Sequence, residues 1–291
     1  GVNVRTAHAL GAGNRKDTEQ TIHSSLLLCL SIGLIIGLIC ILFSGNFLRI
    51  LHTKDELMDG AVLYMKIYAL GMPAMAVYNF GNGVLSARGE TTTPLLYLTI
   101  AGVLNVLLNL FFVIRCHMAA DGVATASVIA QYVSAALVMY NLFRRKDNCH
   151  VRLSGLHLYR NSCMAVLALG IPAGIQNAIF AIANLFVQAG VNSFDAVMVS
   201  GNAASMNADT LVFNIMYAFH IANASFISQN MGARNKARMK KSYMISIFYS
   251  FSAAAVFGIL LLIFGRQFLS LFATDTRVID AGMQRIHIMW F

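Results

Sequence analysis

Seven long stretches of the chain contain no Asp, Glu, Lys or Arg. About 20 apolar residues cross the hydrocarbon core of a bilayer as one helix, and a backbone in lipid must satisfy its own hydrogen bonds. The runs therefore predict an all-α integral membrane protein with seven spans, and their continuity argues against the alternating strands of a barrel. The seven runs are Ser24–Phe43, Ile67–Ala87, Thr91–Ile114, Gly122–Phe143, Asn161–Phe194, Thr210–Ala233 and Ser242–Phe264.

The composition supports lipid as the solvent of this chain. Hydrophobic residues make up 58% of its 291 residues and charged residues only 11%, whereas soluble domains carry about 25% charged residues. The net charge of +9 arises from basic residues between the apolar runs, so we expect the lipid bilayer, and not nucleic acid, as the partner. The five cysteines form no Cys-x-x-Cys pair, and no metal site is expected.

Two partial spans flank the seven full ones. Gly1–Leu10 is typical of the last turns of a preceding helix, and Val278–Phe291 begins a helix that has no C-terminal cap. We therefore expect the chain to be an internal piece of a longer protein.

The basic residues alternate between the two sides of the predicted spans. One set of alternate loops holds 13 Lys and Arg residues, and the other set holds 5. Because cytoplasmic loops are enriched in Lys and Arg, the first set is predicted to be cytoplasmic.

The sequence is also similar to itself when it is shifted by 221 positions. From position 11 to position 59, 11 of the 49 positions carry the same residue in both copies, without a gap. The matches include polar residues, with Asn14 on Asn235, Thr53 on Thr274 and Asp59 on Asp280 as examples. Such self-similarity is the mark of a duplicated unit.

The shift fixes the predicted architecture. Five spans lie between the repeated helices, so the unit has six helices and both copies cross the membrane in the same direction. We predict two six-helix halves related by a pseudo-two-fold axis along the membrane normal, with a cleft between them and 12 spans in the whole protein. The predicted divisions are an N-terminal bundle over 1–146, a cytoplasmic linker over 147–160 and a C-terminal bundle over 161–291.

Several short motifs, in this order and spacing, are similar to those of the multidrug and toxic compound extrusion (MATE) family. The resemblance runs along the whole chain, from the end of helix two to the start of helix ten in that family. In chain order the motifs are Ser86-Ala87-Arg88-Gly89 followed by Pro94, Asn105-x-x-x-Asn109, Gly122-Val123-Ala124-Thr125-Ala126-Ser127, Gly170-Ile171-Pro172 at the opening of helix seven, and Gln229-Asn230-Met231-Gly232-Ala233.

Three polar residues are the first candidates for a cation-coupling site. Asn105 and Asn109 are four residues apart and share one helix face, where their amides can ligate a cation or bond a neighbouring helix. The resemblance implies an Asn, an Asp and a Thr at these positions of the N-terminal cation site. Asn105 matches the Asn, Asn109 replaces the Asp and Ser127 stands for the Thr. The site's main acid belongs to helix one, before this chain begins.

Asp209 is the fourth candidate, because it is the only carboxylate within a long apolar segment, Ala196–Ala233. A charged residue at the centre of a bilayer costs at least about 2.5–3.5 kcal/mol. Asp209 is therefore expected either to face the cleft, where it suits a proton carrier or a cationic substrate, or to have a structural partner.

The remaining polar residues of the spans are candidates for lining the substrate cleft, with helix packing as the alternative. They are Tyr78, Asn79, Asn82, Gln131, Gln176 and Asn177.

The residues and the resemblance together imply a secondary antiporter. It would export organic compounds, cationic or amphipathic, in exchange for H⁺ or Na⁺ by alternating access, as a monomer in the bacterial inner membrane. No P-loop and no catalytic grouping is present, so neither an enzyme nor a cofactor is expected. The alternative is a lipid-linked oligosaccharide flippase of the same superfamily, which should carry Arg or Lys inside the spans to hold phosphate. The seven runs contain none.

Overall fold

The computed structural model describes residues 1–50 and 53–289, and every long regular element in this part of the chain is an α-helix. This confirms the predicted fold class. The helices are α1 (Val2–Gly11), α2 (Arg15–Ile50), α3 (Asp55–Ala69), α4 (Met72–Ala87), α5 (Thr92–Leu110), α6 (Ala120–Arg144), α7 (Arg160–Val191), α8 (Ala196–Gly232), α9 (Lys236–Leu269) and α10 (Thr276–Met289).

The helices account for the predicted spans, with one correction. Six helical segments of the described residues are long and apolar enough to cross a membrane, and α3 and α4 together form a seventh, bent by 43°. The prediction of one unbroken helix over Ile67–Ala87 is wrong, because the helix stops after Ala69 and restarts at Met72. Pro73 explains the break, since it lacks an N–H and its ring would clash with the carbonyl of Ala69 in a continuous helix.

A second correction concerns α7. The motif Gly170-Ile171-Pro172 was expected to open this helix, but α7 begins at Arg160 and continues through Pro172. The apolar run starts at Asn161, so the run marked the beginning of the helix and the proline did not. Proline can lie inside a spanning helix where neighbouring groups satisfy the freed carbonyl.

The backbone repeats itself at the shift that the sequence predicted. α1 ends at Gly11 and α8 ends at Gly232. The turn after each helix contains a residue with positive φ at the same register, +65° at Gly13 and +55° at Arg234. A non-glycine residue is uncommon in this region, so the shared φ supports the duplication inferred from the sequence.

The next helix of each copy begins with the same cap. The side-chain oxygen of Asn14 accepts a hydrogen bond from the backbone N–H of Asp17 at 3.1 Å. Asn235, the equivalent residue of the second copy, accepts one from the N–H of Arg238, also at 3.1 Å. An Asn at this position satisfies an N–H that the first turn of a helix leaves without a partner.

The helices pack into two units. The first comprises Gly1–Gly170 with Met231–Arg234, and the second comprises Ile171–Asn230 with Asn235–Phe291. The first unit thus takes in residues 147–160, which the sequence assigned to a linker, and the first turns of α7.

The core of the first unit lies between α2, α4 and α6. Ile22, Phe80, Val84 and Leu142 are fully buried there. A Cβ at Gly81 would lie 2.7 Å from a methyl group of Val138, so α4 and α6 approach through a residue without a side chain. Small residues at such contacts are the usual basis of helix packing in membranes.

The segment 147–160 is held against α2. The hydroxyl of Ser24 donates to the carbonyl oxygen of His157 at 3.1 Å and accepts from the N–H of Tyr159 at 3.0 Å. His23 Nε2 accepts from the N–H of Arg152 at 3.0 Å. These bonds fix the segment as part of the first unit.

Four charged side chains join the end of α6 to the turn between α4 and α5. Arg145 donates to Glu90 at 2.7 Å and to Asp147 at 3.0 Å. Asp147 also pairs with Arg88. The hydrogen bond from Arg145 is the main reason that the pKa of the Glu90 carboxyl lies below its ordinary value.

The core of the second unit lies between α8, α9 and α10. Ala208, Leu261, Leu269, Met283 and Ile286 are among its buried residues. Their methyl and methylene groups fill the space between the three helices, and this core positions the polar groups of α8 and α10 that are described next.

Candidate functional site

The structure brings Asn105, Asn109 and Ser127 together at the contact between α5 and α6. The Asn109 amide donates to Asn105 Oδ1 at 3.1 Å, and the Asn105 amide donates to the Ser127 hydroxyl at 3.2 Å. Ser127 in turn donates to the carbonyl oxygen of Val123 at 3.0 Å. The spacing predicted the shared face of the two asparagines and the resemblance implied Ser127, and the structure brings the serine to them from the neighbouring helix.

Asn105, Asn109 and Ser127 form an amide cluster, and one of its oxygens remains available as a ligand. Asn109 Oδ1 is buried and has no hydrogen-bond partner among the described residues. Asn105 Oδ1 already accepts a bond from Asn109. Sodium prefers several oxygen ligands, so the three side chains can supply part of a cation site and need further oxygens to complete it.

A recess of about 310 Å³ adjoins the amide cluster, and Gln131 lies in its wall. Gln131 Oε1 is buried without a partner among the described residues, and a Cβ at Gly71 would overlap it. Gln131 therefore lies beside the break between α3 and α4. At the same break the Tyr132 hydroxyl donates to the carbonyl oxygen of Leu70 at 3.0 Å, so α6 satisfies a carbonyl that the broken helix leaves free.

The three cleft candidates on α4 have different surroundings. The ring of Tyr78 is buried and its hydroxyl donates to the carbonyl oxygen of Pro94 at 3.0 Å. Asn82 accepts a hydrogen bond from Ser86 within the same helix, at 3.2 Å. Asn79 is exposed. Tyr78 thus ties α4 to the start of α5, and only Asn79 presents its amide at the surface of the unit.

The two candidates on α7, Gln176 and Asn177, are both exposed. They follow Pro172 by one turn, in the part of α7 that belongs to the second unit.

Asp209 does not stand alone on α8. Arg285 of α10 donates from Nη2 to Asp209 Oδ2 at 2.7 Å, and from Nη1 to the side-chain oxygen of Asn202. The exposed fractions are 27% for the Arg285 side chain and 17% for that of Asp209. Asp209 Oδ1 is buried without a partner among the described residues. The site is therefore an ion pair with one carboxylate oxygen unused.

Close approach of the two helices makes this contact possible. A Cβ at Gly201 would lie 2.8 Å from the carbonyl oxygen of Val278 and 2.9 Å from the nitrogen of Gly282. Gly201 precedes Asp209 by about two turns of α8, and Gly282 precedes Arg285 by about one turn of α10. Where the backbones touch, the long Arg285 side chain reaches across to α8.

Arg285 is the residue of this candidate site that the sequence analysis missed. It lies in the short segment Val278–Phe291, which was treated as a partial span, and the seven complete runs contain no basic residue of the Lys or Arg type. The cost of an isolated carboxylate was itself a signal, since charged residues inside membranes pair with one another. Arg5 and Arg285 are the only Lys or Arg residues within the predicted spans and partial spans, so a search for the partner of Asp209 had two candidates.

The structure describes two units of apolar helices, with a duplicated segment and with polar side chains at helix contacts in each unit, and these features define a polytopic membrane protein. Comparison with known proteins agrees. The family model described as MatE matches residues 1–111 and 172–291, and the chain belongs to the MatE family.

Individual proteins are similar to the chain over nearly all of its length. A probable multidrug resistance protein NorM of Thermotoga maritima is 22% identical, with 99% of this chain and 63% of that protein covered. An FAD transporter of Shewanella oneidensis is 22% identical, with 96% and 63% covered. A crystal structure of MATE in complex with MaD3S matches with a TM-score of 0.89 at 19% identity, covering 99% of this chain and 65% of that one.

The relatives bear on one prediction. Homologues in this family are transporters and not enzymes, which confirms the prediction that the chain is not an enzyme. The chain spans about 63% of the length of the NorM relative.

Proposed function

We propose that the transporter to which this chain belongs exports organic compounds, cationic or amphipathic, from bacteria in exchange for H⁺ or Na⁺. It would act as a monomer in the inner membrane, with lipid and small molecules as its partners. The observation that carries the proposal is the carboxylate of Asp209 held within apolar α8. Such a group is costly in a membrane, and relatives named as multidrug resistance proteins match the chain that contains it.

Coupling requires a group whose interactions differ between two states of the transporter. Asp209 can meet this requirement, because a proton or Na⁺ at its unused Oδ1 would weaken the pair with Arg285. The amide cluster is the second candidate, with Asn109 Oδ1 as its free oxygen. Asn109 is a neutral amide and can ligate a cation but cannot carry a proton.

Replacement of Asp209 by Asn in the full-length transporter tests this proposal. Asp209→Asn should reduce ethidium export from cells that lack other exporters by at least tenfold at equal expression, because the amide neither binds a proton nor pairs as a charge. Asp195→Asn is the matched control. Asp195 is exposed and caps α8 through a bond to the N–H of Met198, and Asn caps a helix equally well.

Export at the level of the unchanged protein by Asp209→Asn would remove this carboxylate from the mechanism. Proteoliposomes that carry a proton gradient or a sodium gradient alone identify the coupling ion. Export driven by neither gradient would contradict antiport.

The lipid-linked oligosaccharide flippase remains the second candidate, and one observation favours it. Arg285 lies on α10 between the buried residues Met283 and Ile286, and a flippase needs such a positive charge to bind a phosphate group. Movement of a fluorescent polyprenyl diphosphate across proteoliposomes by the full-length protein, without movement of ethidium, would establish that alternative.

A further inference from the structure

Arg285 is held by two acceptors on one face of α8. Asn202 and Asp209 are seven residues apart, two helical turns, and therefore face the same way. The guanidinium donates to both. The pair leaves no net charge at this point of the second unit.

A contribution to the stability of the fold does not explain the ion pair between Asp209 and Arg285. A buried ion pair often contributes little, because the loss of water around both charges offsets their attraction. Here the carboxylate is also left with one buried oxygen without a partner among the described residues. An arrangement that only held α8 to α10 would gain more from apolar side chains of similar size.

The two acceptors bind the guanidinium with different strength. Asp209 is charged and holds Arg285 through a charge-assisted hydrogen bond, whereas Asn202 is a neutral amide. An anionic group that replaces Asp209 therefore takes the stronger of the two hydrogen bonds of the guanidinium. Its planar fork of N–H donors matches the two oxygens of a carboxylate or phosphate group.

We propose, on the basis of the proposed export function, that Arg285 determines substrate specificity by binding an anionic group of the exported compound. Asp209 binds Arg285 when no substrate is bound, and the anionic group of the substrate takes the place of Asp209. Among the exported compounds, Arg285 selects amphipathic organic anions and zwitterions, with a carboxylate as the group that it binds.

The first unit has no basic residue at the position equivalent to Arg285. The shift that superposes the two copies places Arg285 on Tyr64, whose ring stacks on Tyr68 with 5.9 Å between centroids. The duplicated helices therefore have a guanidinium group in one copy and a neutral aromatic ring in the other. Recognition of an anionic group is a property of the second unit.

Binding of fluorescein, a carboxylate dye, to the purified full-length transporter tests the inference independently of transport. Arg285→Gln should weaken binding by at least tenfold in fluorescence anisotropy, with ethidium binding within twofold. Arg285→Lys should fall between, because an ammonium keeps the charge and loses the fork. Asp209→Asn should bind fluorescein more tightly than the unchanged protein, about threefold or more, because the competing carboxylate is gone.

The other outcomes overturn the inference. A purely structural pair predicts equal loss of both dyes in Arg285→Gln, recovery of both in the double variant Asp209→Asn/Arg285→Gln, and no gain in Asp209→Asn. Absence of fluorescein binding to the unchanged protein contradicts the inference directly. Binding of a polyprenyl phosphate in place of fluorescein would assign the arginine to a lipid carrier.

Failure of the export proposal gives a different result. Proteoliposomes would then move neither dye, although fluorescein still binds in a manner that depends on Arg285.

Discussion

At the scale of single residues, the polar groups of this protein act in sets that the sequence shows only in part. The spacing of Asn105 and Asn109 predicted a shared face, and the hydrogen bonds follow it. Asp209 indicated the need for a partner through its cost in lipid, but its partner is 76 residues away. No local pattern links α8 to α10, so the pair required the tertiary structure.

Glu90 permits a prediction at this scale, because it lies in the turn between α4 and α5 and outside the spans. Its pKa is lowered from 4.5, chiefly by the hydrogen bond from Arg145. A group whose pKa is lower in the folded state stabilises the fold above its unfolded pKa, and the contribution is lost as the pH falls through the folded pKa. Acid should therefore weaken the contact between this turn and the end of α6 below about pH 4.5.

Glu90→Gln tests that expectation. The variant should melt at a lower temperature than the unchanged protein at pH 7, because Arg145 loses a charged acceptor. The difference between the two should shrink as the pH falls below 4.5, the ordinary pKa of the group, because Glu90 itself becomes protonated as the pH falls through its lowered pKa. Thermal unfolding in detergent across this pH range measures it, and a difference that does not change with pH would contradict the assignment.

At the scale of helices, apolar runs located the spans but not their interruptions. Hydropathy measures continuity of apolar side chains, and the segment around Leu70 and Gly71 is as apolar as its neighbours. The break depends on the backbone, through Pro73. It also involves Gln131 of α6, whose side chain occupies the place that a Cβ on Gly71 would fill. Pro172 has no such effect in α7, so proline alone does not predict a break.

The contact between α8 and α10 gives a prediction about packing. Gly201→Ala should destabilise the protein by about 1–3 kcal/mol, because the added methyl group would meet the backbone of α10. It should also weaken the pair between Asp209 and Arg285. Gly190→Ala in α7 is the matched control, since nothing lies within 4 Å of its added Cβ.

In the control, alanine should be neutral or stabilising, because a helical glycine costs more conformational entropy than alanine. Thermal unfolding of the full-length transporter in detergent compares the two variants. An equal effect of both substitutions would show that the close approach at Gly201 does not exist.

At the scale of the whole molecule, the duplication explains most of what the sequence revealed. The similarity between the copies predicted equivalent turns, and the positive φ angles of Gly13 and Arg234 occur at equivalent positions. It did not predict the difference between the copies, since Tyr64 and Arg285 hold equivalent positions. A duplication preserves the path of the backbone more than the chemistry of individual sites.

The central claim is that both copies of the repeated unit cross the membrane in the same direction, and cysteine labelling tests it most directly. Arg15 and Lys236 are equivalent positions, and both are exposed. Lys54, which is exposed, and Asp275, which is half-exposed, form a second equivalent pair, directly before α3 and α10. Single cysteines would be placed at each position in a full-length transporter whose native cysteines are replaced. With a membrane-impermeant maleimide, Arg15→Cys and Lys236→Cys should label from the cytoplasmic side, and Lys54→Cys and Asp275→Cys from the opposite side. Labelling of Arg15→Cys and Lys236→Cys from opposite sides would contradict the account.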